Sequence, residues 1–204
     1  NPTTLTNWTS NSGGTGCNPA NFTDATNTFI IQSGHTYTMT SNWTVAGTVD
    51  VQGTFYVSNS STSRTFQTGN LNVSGTMYID GSSASSTATV SGDFMQTGGT
   101  LNMNAATASS TFSTLRVGGN FSQTSGTITE SGGNYGIIEF NKSGTQTYSQ
   151  AGSVTNSITY QINNGSNLEL NSNLSFSSFG GSGNKFVVNG TLTFGNTART
   201  ITIK

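Results

Sequence analysis

Charge is what this chain has least of. Six Lys and Arg and seven Asp and Glu are spread over 204 residues, leaving a formal net charge of −1 and a pI near 5.6. A nucleic-acid partner requires a concentrated basic surface, and scattered cations do not make one, so no nucleic acid is expected. Apolar residues make up 31%. No run of them approaches the ~18 residues that a membrane-crossing helix requires, so no membrane insertion is expected. Proline occurs twice and cysteine once, at Cys17. A lone cysteine forbids an intrachain disulfide. With Gly16 and Asn18 beside it and no Cys/His partner pattern, Cys17 is expected as a small buried group. Helical periodicity is missing too: nowhere do apolar residues hold i, i+3, i+4, i+7 spacing over three turns.

The chain is filled instead with small uncharged residues: 37 Thr, 30 Ser, 24 Asn and 26 Gly. Disorder combines low hydrophobicity with high charge, and only the first is present here. A central globular core would be hard to fill from so few apolar residues. A stacked coil needs only a few inward apolar groups per turn, and lets Thr, Ser and Asn form ladders that satisfy one another's hydrogen bonds. Nearly every segment alternates apolar and polar residues and is rich in Thr, Val, Ile, Phe and Tyr, which is strand patterning.

A phrase built on Gly-Thr gives this alternation a period. It recurs as SNWTVAGTVDV (41–51), GNLNVSGTMYI (69–79), GDFMQTGGTLNM (92–103), GNFSQTSGTITE (119–130) and NKFVVNGTLTF (184–194). Degenerate copies, FNKSGTQTY (140–148) and YQINNGSNLEL (160–170), fill the longest gap. Such repetition marks a solenoid, in which no unit buries its apolar side until the next stacks on it. The chain therefore predicts an all-β fold, a single-domain parallel β-helix (β-solenoid) of about eight irregular coils, roughly 40 Å long. Residues 1–40 are expected to form an N-terminal cap and first coil, and 41–204 one continuous run of repeats. The Ser-rich stretches SNSSTSR (58–64) and DGSSASSTA (80–88) read as insertions at corners. The extra residue before Gly-Thr in the third and fourth copies reads as a corner bulge. TARTITIK (197–204) is a strand pattern with no cap after it, which predicts an open end.

Alternation assigns the faces. Val49 and Val51, Met77 and Ile79, Leu101 and Met103, and Leu192 and Phe194 are predicted inward, with Asp50, Tyr78, Asn102, Thr129 and Thr193 outward. The fourth copy keeps Ile128 inside but puts Glu130 where an apolar residue belongs. Its strand is expected to stop early, because a buried lone carboxylate costs several kcal/mol.

The phrases TNWTSNSGGTGCNPANFTDATNTFIIQSGHTYTM, GGNFSQTSGTI, FNKSGTQTY, INNGSNLELNSNLSF and VVNGTLTFG make the chain similar to the low-complexity Gly-Thr- and Asn-rich repeat surface proteins of Bacteroidota, many exported by the type IX route. The resemblance extends over nearly the whole chain. It implies an extracellular, adhesive or architectural β-rich protein and no catalytic residues to carry over. The start at Asn1 rather than Met is expected to reflect removal of a targeting segment. The C-terminal sorting domain common in such proteins is not in the sequence.

Catalytic motifs are not found. A glycosidase needs two facing carboxylates ~5 to 10 Å apart. The acids are Asp24, Asp50, Asp80, Asp93, Glu130, Glu139 and Glu169, and Asp50 and Asp80 stand at different offsets from their glycines. No cluster suits calcium. His35, the single histidine, lies in a Gly-His-Thr turn without metal-ligand or Ser/His/Asp spacing. No enzymatic activity, cofactor or metal is expected. The glycine pairs at 13–14, 118–119 and 180–181 read as turns, and the ten Asn-x-Ser/Thr sequons look like glycosylation sites, many of which so Asn- and Thr-rich a composition produces by itself. One candidate contact surface remains: Tyr56 and Tyr78 point outward on one flank, with Asp50 and Asn102 nearby, and either stack on a sugar ring or simply cover the sheet. The expected role is a non-catalytic structural and adhesive solenoid, secreted or at the cell surface. It would serve as a stalk or fibre subunit, stacking head to tail on itself or contacting surface glycans. The alternative is a carbohydrate-binding module or the remnant of a polysaccharide-degrading β-helix enzyme. Ice binding through Thr rows is a third reading, weakened by the sequence Asp, Tyr, Asn, Thr in the outward row.

Overall fold

Alternating segments become strands when a neighbour one coil away can take their backbone N–H and C=O groups, which leaves one face for apolar side chains and one for polar. The computed structural model of the chain describes residues 1–11, 13, 15–80, 82, 85–106, 111–133, 135–176 and 186–203. Among these, the one helical element is a 3-10 turn at Leu5–Asn7. Three strands make a coil. The first coil is β1 (Thr28–Ile31), β2 (Thr36–Thr38) and β3 (Trp43–Thr44). The second is β4 (Thr48–Val51), β5 (Thr54–Ser58) and β6 (Thr65–Thr68), and the third β7 (Asn70–Val73), β8 (Thr76–Asp80) and β9 (Thr87–Val90). The fourth is β10 (Phe94–Gln96), β11 (Thr100–Asn104) and β12 (Phe112–Val117), and the fifth β13 (Phe121–Gln123), β14 (Thr127–Thr129) and β15 (Tyr135–Phe140). The sixth is β16 (Gly144–Gln150), β17 (Ser153–Val154) and β18 (Ile158–Ile162), and the seventh β19 (Ser166–Leu170), β20 (Leu174–Phe176) and β21 (Phe186–Val188). β22 (Thr191–Thr193) and β23 (Ile201–Ile203) begin an eighth.

Strands pair in parallel with the strand three places on, except that β17 does not pair with β20. A first sheet of eight strands runs from β1 to β22, a second of six from β2 to β17, and a third of seven from β3 to β21; β20 pairs with β23 separately. The predicted β-solenoid is therefore the fold. Its eight-stranded sheet encloses seven full turns, one fewer than the repeat spacing suggested, over roughly 35 Å at ~4.8 Å per step.

Register corrects the repeat alignment. Thr54, Thr76, Thr100 and Thr127 form one column of the second sheet. The unit in step with SGTMYI (74–79) is thus QGTFYV (52–57). The first and fifth copies lead into β4 and β22, in the first sheet, and sit at a different corner. Gly-Thr marks two of the three corners because at both the chain passes close over the coil before it. A Cβ on Gly47 would lie 2.1 Å from the Asn27 carbonyl oxygen, and one on Gly75 2.2 Å from that of Gly53. The third corner takes both Ser-rich stretches, between β5 and β6 and between β8 and β9. The extra residue of the third and fourth copies does lie at a corner, where Gly99 and Gly126 take positive φ of 57° and 83°. Buried Gln96 and Gln123 brace this wider corner. The Gln96 side-chain amide donates to the Gly98 and Thr127 carbonyls, and that of Gln123 to Gln96 Oε1 and the Ser153 carbonyl.

The interior is a set of stacks. Phe94, Phe121 and Tyr148 lie in register along the first sheet, with ring centroids 5.0 Å apart at each step. Phe66, Leu115 and Ile138 line the third. The predicted inward residues Val49, Val51, Met77, Ile79, Leu101, Met103 and Ile128 are all buried. Phe194 is not: it is 41% exposed, following β22, which has no outer neighbour among the described residues. β14 ends at Thr129 as expected, yet Glu130 stays in the wall, 3% exposed. An amide ladder runs outside: Asn70, Asp93 and Asn120 each accept the backbone N–H of a residue one coil later, from Asp93, Asn120 and Thr147.

Residues before β1 cover the N-terminal end. Trp8 stacks on Trp43 and meets Phe29 edge to face, Phe22 packs on both of them, and Trp8 Nε1 donates to the Pro2 carbonyl at 2.8 Å. The first coil closes at β3, beyond residue 40. Cys17 is exposed rather than buried. The Ser10 backbone N–H donates to the Cys17 carbonyl at 3.0 Å, and Gly16 beside it takes a positive φ of 105°. The glycine pair at 180–181 lies outside the described residues, as does Gly14 of the pair at 13–14.

Candidate functional site

Alternation in β5 and β8 sends Phe55, Val57, Met77 and Ile79 inward, so Tyr56 and Tyr78 must come out, and the register sets them opposite each other. Their rings stack, with centroids 4.5 Å apart and planes 5° from parallel. Burial, and then the neighbouring Tyr78, push the Tyr56 hydroxyl pKa above its ordinary value. Each ring covers one face of the other, so the pair presents edges and hydroxyls outward, and only its two end faces are free of the stack.

The partners proposed for this pair are arranged otherwise. Asn102 follows Tyr78 in the column but is 6% exposed. Its side-chain amide donates to Ser131 Oγ at 2.7 Å, and its Oδ1 is buried with no hydrogen-bond partner among the described residues. Asp50 lies on the first sheet, opposite Ile30 and Asn72, and accepts a bond from Gln52 Nε2 at 2.8 Å. The repeat alignment equated Asp50 with Tyr78, whereas the residue in step with Tyr78 is Tyr56, one corner further on.

The remaining acids are dispersed in the same way. Glu139 pairs with Arg116 of the preceding coil, Nε to Oε2 at 2.6 Å. Exposed Asp24 accepts bonds from the Thr26 hydroxyl and N–H, and these lower its pKa. Asp80 is buried between Ser58 and Asn104 in register. Among the described residues no group of three or more His, Cys, Asp or Glu could hold a metal ion, and no helix is long and apolar enough to cross a membrane.

Two grooves of about 570 and 560 Å³ lie where the cap meets β1. Sequence reasoning missed them, because they join residues from the turn-rich segment 6–20 to the strands that follow. β1 is the first strand of its sheet, with a partner on one side only. Its Ile30 side chain is 43% exposed between the two grooves. The first groove also holds Gln32, His35 and Tyr37. The His35 N–H donates to the Gln32 carbonyl at 3.1 Å, which fixes the predicted turn, with Gly34 at φ 81°. Tyr37 stacks on Trp8 at 5.4 Å, and its hydroxyl reaches the Asn7 carbonyl at 3.3 Å. No family model, curated protein or solved structure matches the chain.

Proposed function

We propose that this chain is a non-catalytic structural and adhesive element of an extracellular protein, a rigid stalk first and a fibre subunit second. The observation that carries this reading is the unbroken column of parallel strands from β1 to β22, which makes the chain a rod rather than a scaffold around a pocket. Its outer faces carry mostly uncharged hydroxyls and amides, with the charged residues dispersed. Such a surface suits display among glycans and other copies without strong electrostatic selectivity.

Fibre growth is the second half of the reading because the two ends differ. β21, β22 and β23 have no outer neighbour among the described residues, and an unpaired edge favours strand addition. The other end is covered by Trp8 and Phe22, so an incoming copy would meet the cap instead of a bare coil. A polysaccharide-degrading ancestry finds less support, since among the described strand pairings no two acids are register partners. Antibody labelling of intact producing cells, together with negative-stain imaging of the released protein, tests the proposal. Surface labelling with short rods or filaments is expected, and labelling only after cell lysis would remove it.

A further inference from the structure

The groove beside the cap differs in kind from the rest of the surface. An aromatic stack of Trp43, Trp8 and Tyr37 runs out from the core and reaches the groove at Tyr37. Among the described residues Trp8 is the one ring in contact with Tyr37. Around Tyr37 stand the exposed apolar Ile30 and side chains that both donate and accept hydrogen bonds, Asn7, Gln32 and His35. Among the described residues no Asp, Glu, Lys or Arg lines this groove. An apolar ring surface beside amides and an imidazole, with no formal carboxylate or cationic charge, matches a sugar residue, whose C–H face stacks on aromatics and whose hydroxyls need both donors and acceptors. A charged ligand would find no counter-ion there. The volume of about 570 Å³ falls within the range of small-ligand sites.

We propose that this groove binds one or two residues of a neutral oligosaccharide, resting against Tyr37 and Ile30 and held by Gln32, His35 and Asn7. The adhesive contact is thereby placed at the capped end of the rod and not on the Tyr56 and Tyr78 pair. The proposal rests on the adhesive reading for its biological use, but its chemistry can be tested apart from it.

The full chain is titrated with cellotetraose, maltotetraose, xylotetraose and chitotetraose while tryptophan emission is followed, since Trp8 lies against Tyr37. At least one sugar is expected to saturate the signal with a Kd on the order of 0.1–1 mM. Gln32→Ala, at a half-buried position just after β1, combined with His35→Ala in the exposed turn, should weaken that sugar about tenfold with an unchanged circular dichroism spectrum. Tyr37→Ala should abolish binding, while Tyr56→Ala with Tyr78→Ala should leave it unaltered. Absence of binding by all four sugars overturns the proposal, as does binding indifferent to the Gln32 and His35 changes. So does a groove that rejects the sugars but takes an extended Thr/Val peptide along the free edge of β1. Cell-surface labelling with no sugar binding would sink the groove and spare the rod; sugar binding by a chain found inside cells would do the reverse.

Discussion

Tyr148 and Tyr160 carry hydroxyls into an otherwise largely apolar stretch of the interior. The Tyr148 hydroxyl donates to Gln150 Oε1 at 2.6 Å and lies 3.3 Å from that of Tyr160. Burial pushes both pKa values up, Tyr148 well above the ordinary range and Tyr160 to about 12. In the unfolded chain both titrate near 10. The folded chain therefore keeps protons that the unfolded chain releases, so this contribution is complete below about pH 10 and is lost as pH rises through about 12. The urea midpoint is expected to fall between about pH 9.5 and 11.5, with a shallower fall in Tyr160→Phe. An identical slope in the variant would contradict the burial of a titrating Tyr160. Alternation in GTQTYSQ points Tyr148 inward, but its meeting with Tyr160 was not legible in the sequence. That contact joins strands on different sheets across the interior, at a distance set by β17 and the corners on either side of it.

At the scale of the strand and its corners, the glycines divide into two kinds. Gly75 sits where β7 turns into β8 with the Gly53 and Gln52 carbonyl oxygens 2.2 and 2.4 Å from any added Cβ. Gly165 has φ 82° and open space around it. Gly75→Ala forces two coils apart and is expected to cost about 3 kcal/mol or more. Gly165→Ala meets only the left-handed backbone penalty, about 1–2 kcal/mol. Urea unfolding of the two variants compares them directly, and equal losses would show that coil spacing does not depend on the bare corner. The faces of the strands were legible because alternation is a local property, and every inward residue predicted before the last coil is buried. The columns were only partly legible. Gly-Thr serves two corners equally well, so a phrase match alone could not say that QGTFYV and not TVAGTVDV stacks under SGTMYI. The Tyr shared by QGTFYV and SGTMYI, three residues after glycine in both, was the available signal.

For the whole molecule, stability follows from stacking: an inner coil is covered on both sides and an end coil on one. Aromatic rings cover the N-terminal end, whereas the last turn leaves Val188 and Phe194 exposed. Amide hydrogen exchange is expected to be slowest in β7 to β15, intermediate in β1 to β3 and fastest in β21 to β23. Uniform protection along the chain would mean that it opens as one unit, not as a stack fraying from its open end.

The sequence by itself determined that the chain is a β-solenoid with a few apolar residues per turn turned inward, because period-two alternation and coil-length repetition are properties of neighbouring residues. Only the tertiary structure decided which repeat lies on which, how many turns there are, and where the cap folds over β1 to leave a groove. Those outcomes depend on the lengths of the corners and on strand pairing between residues 18 to 27 places apart, which no local pattern encodes.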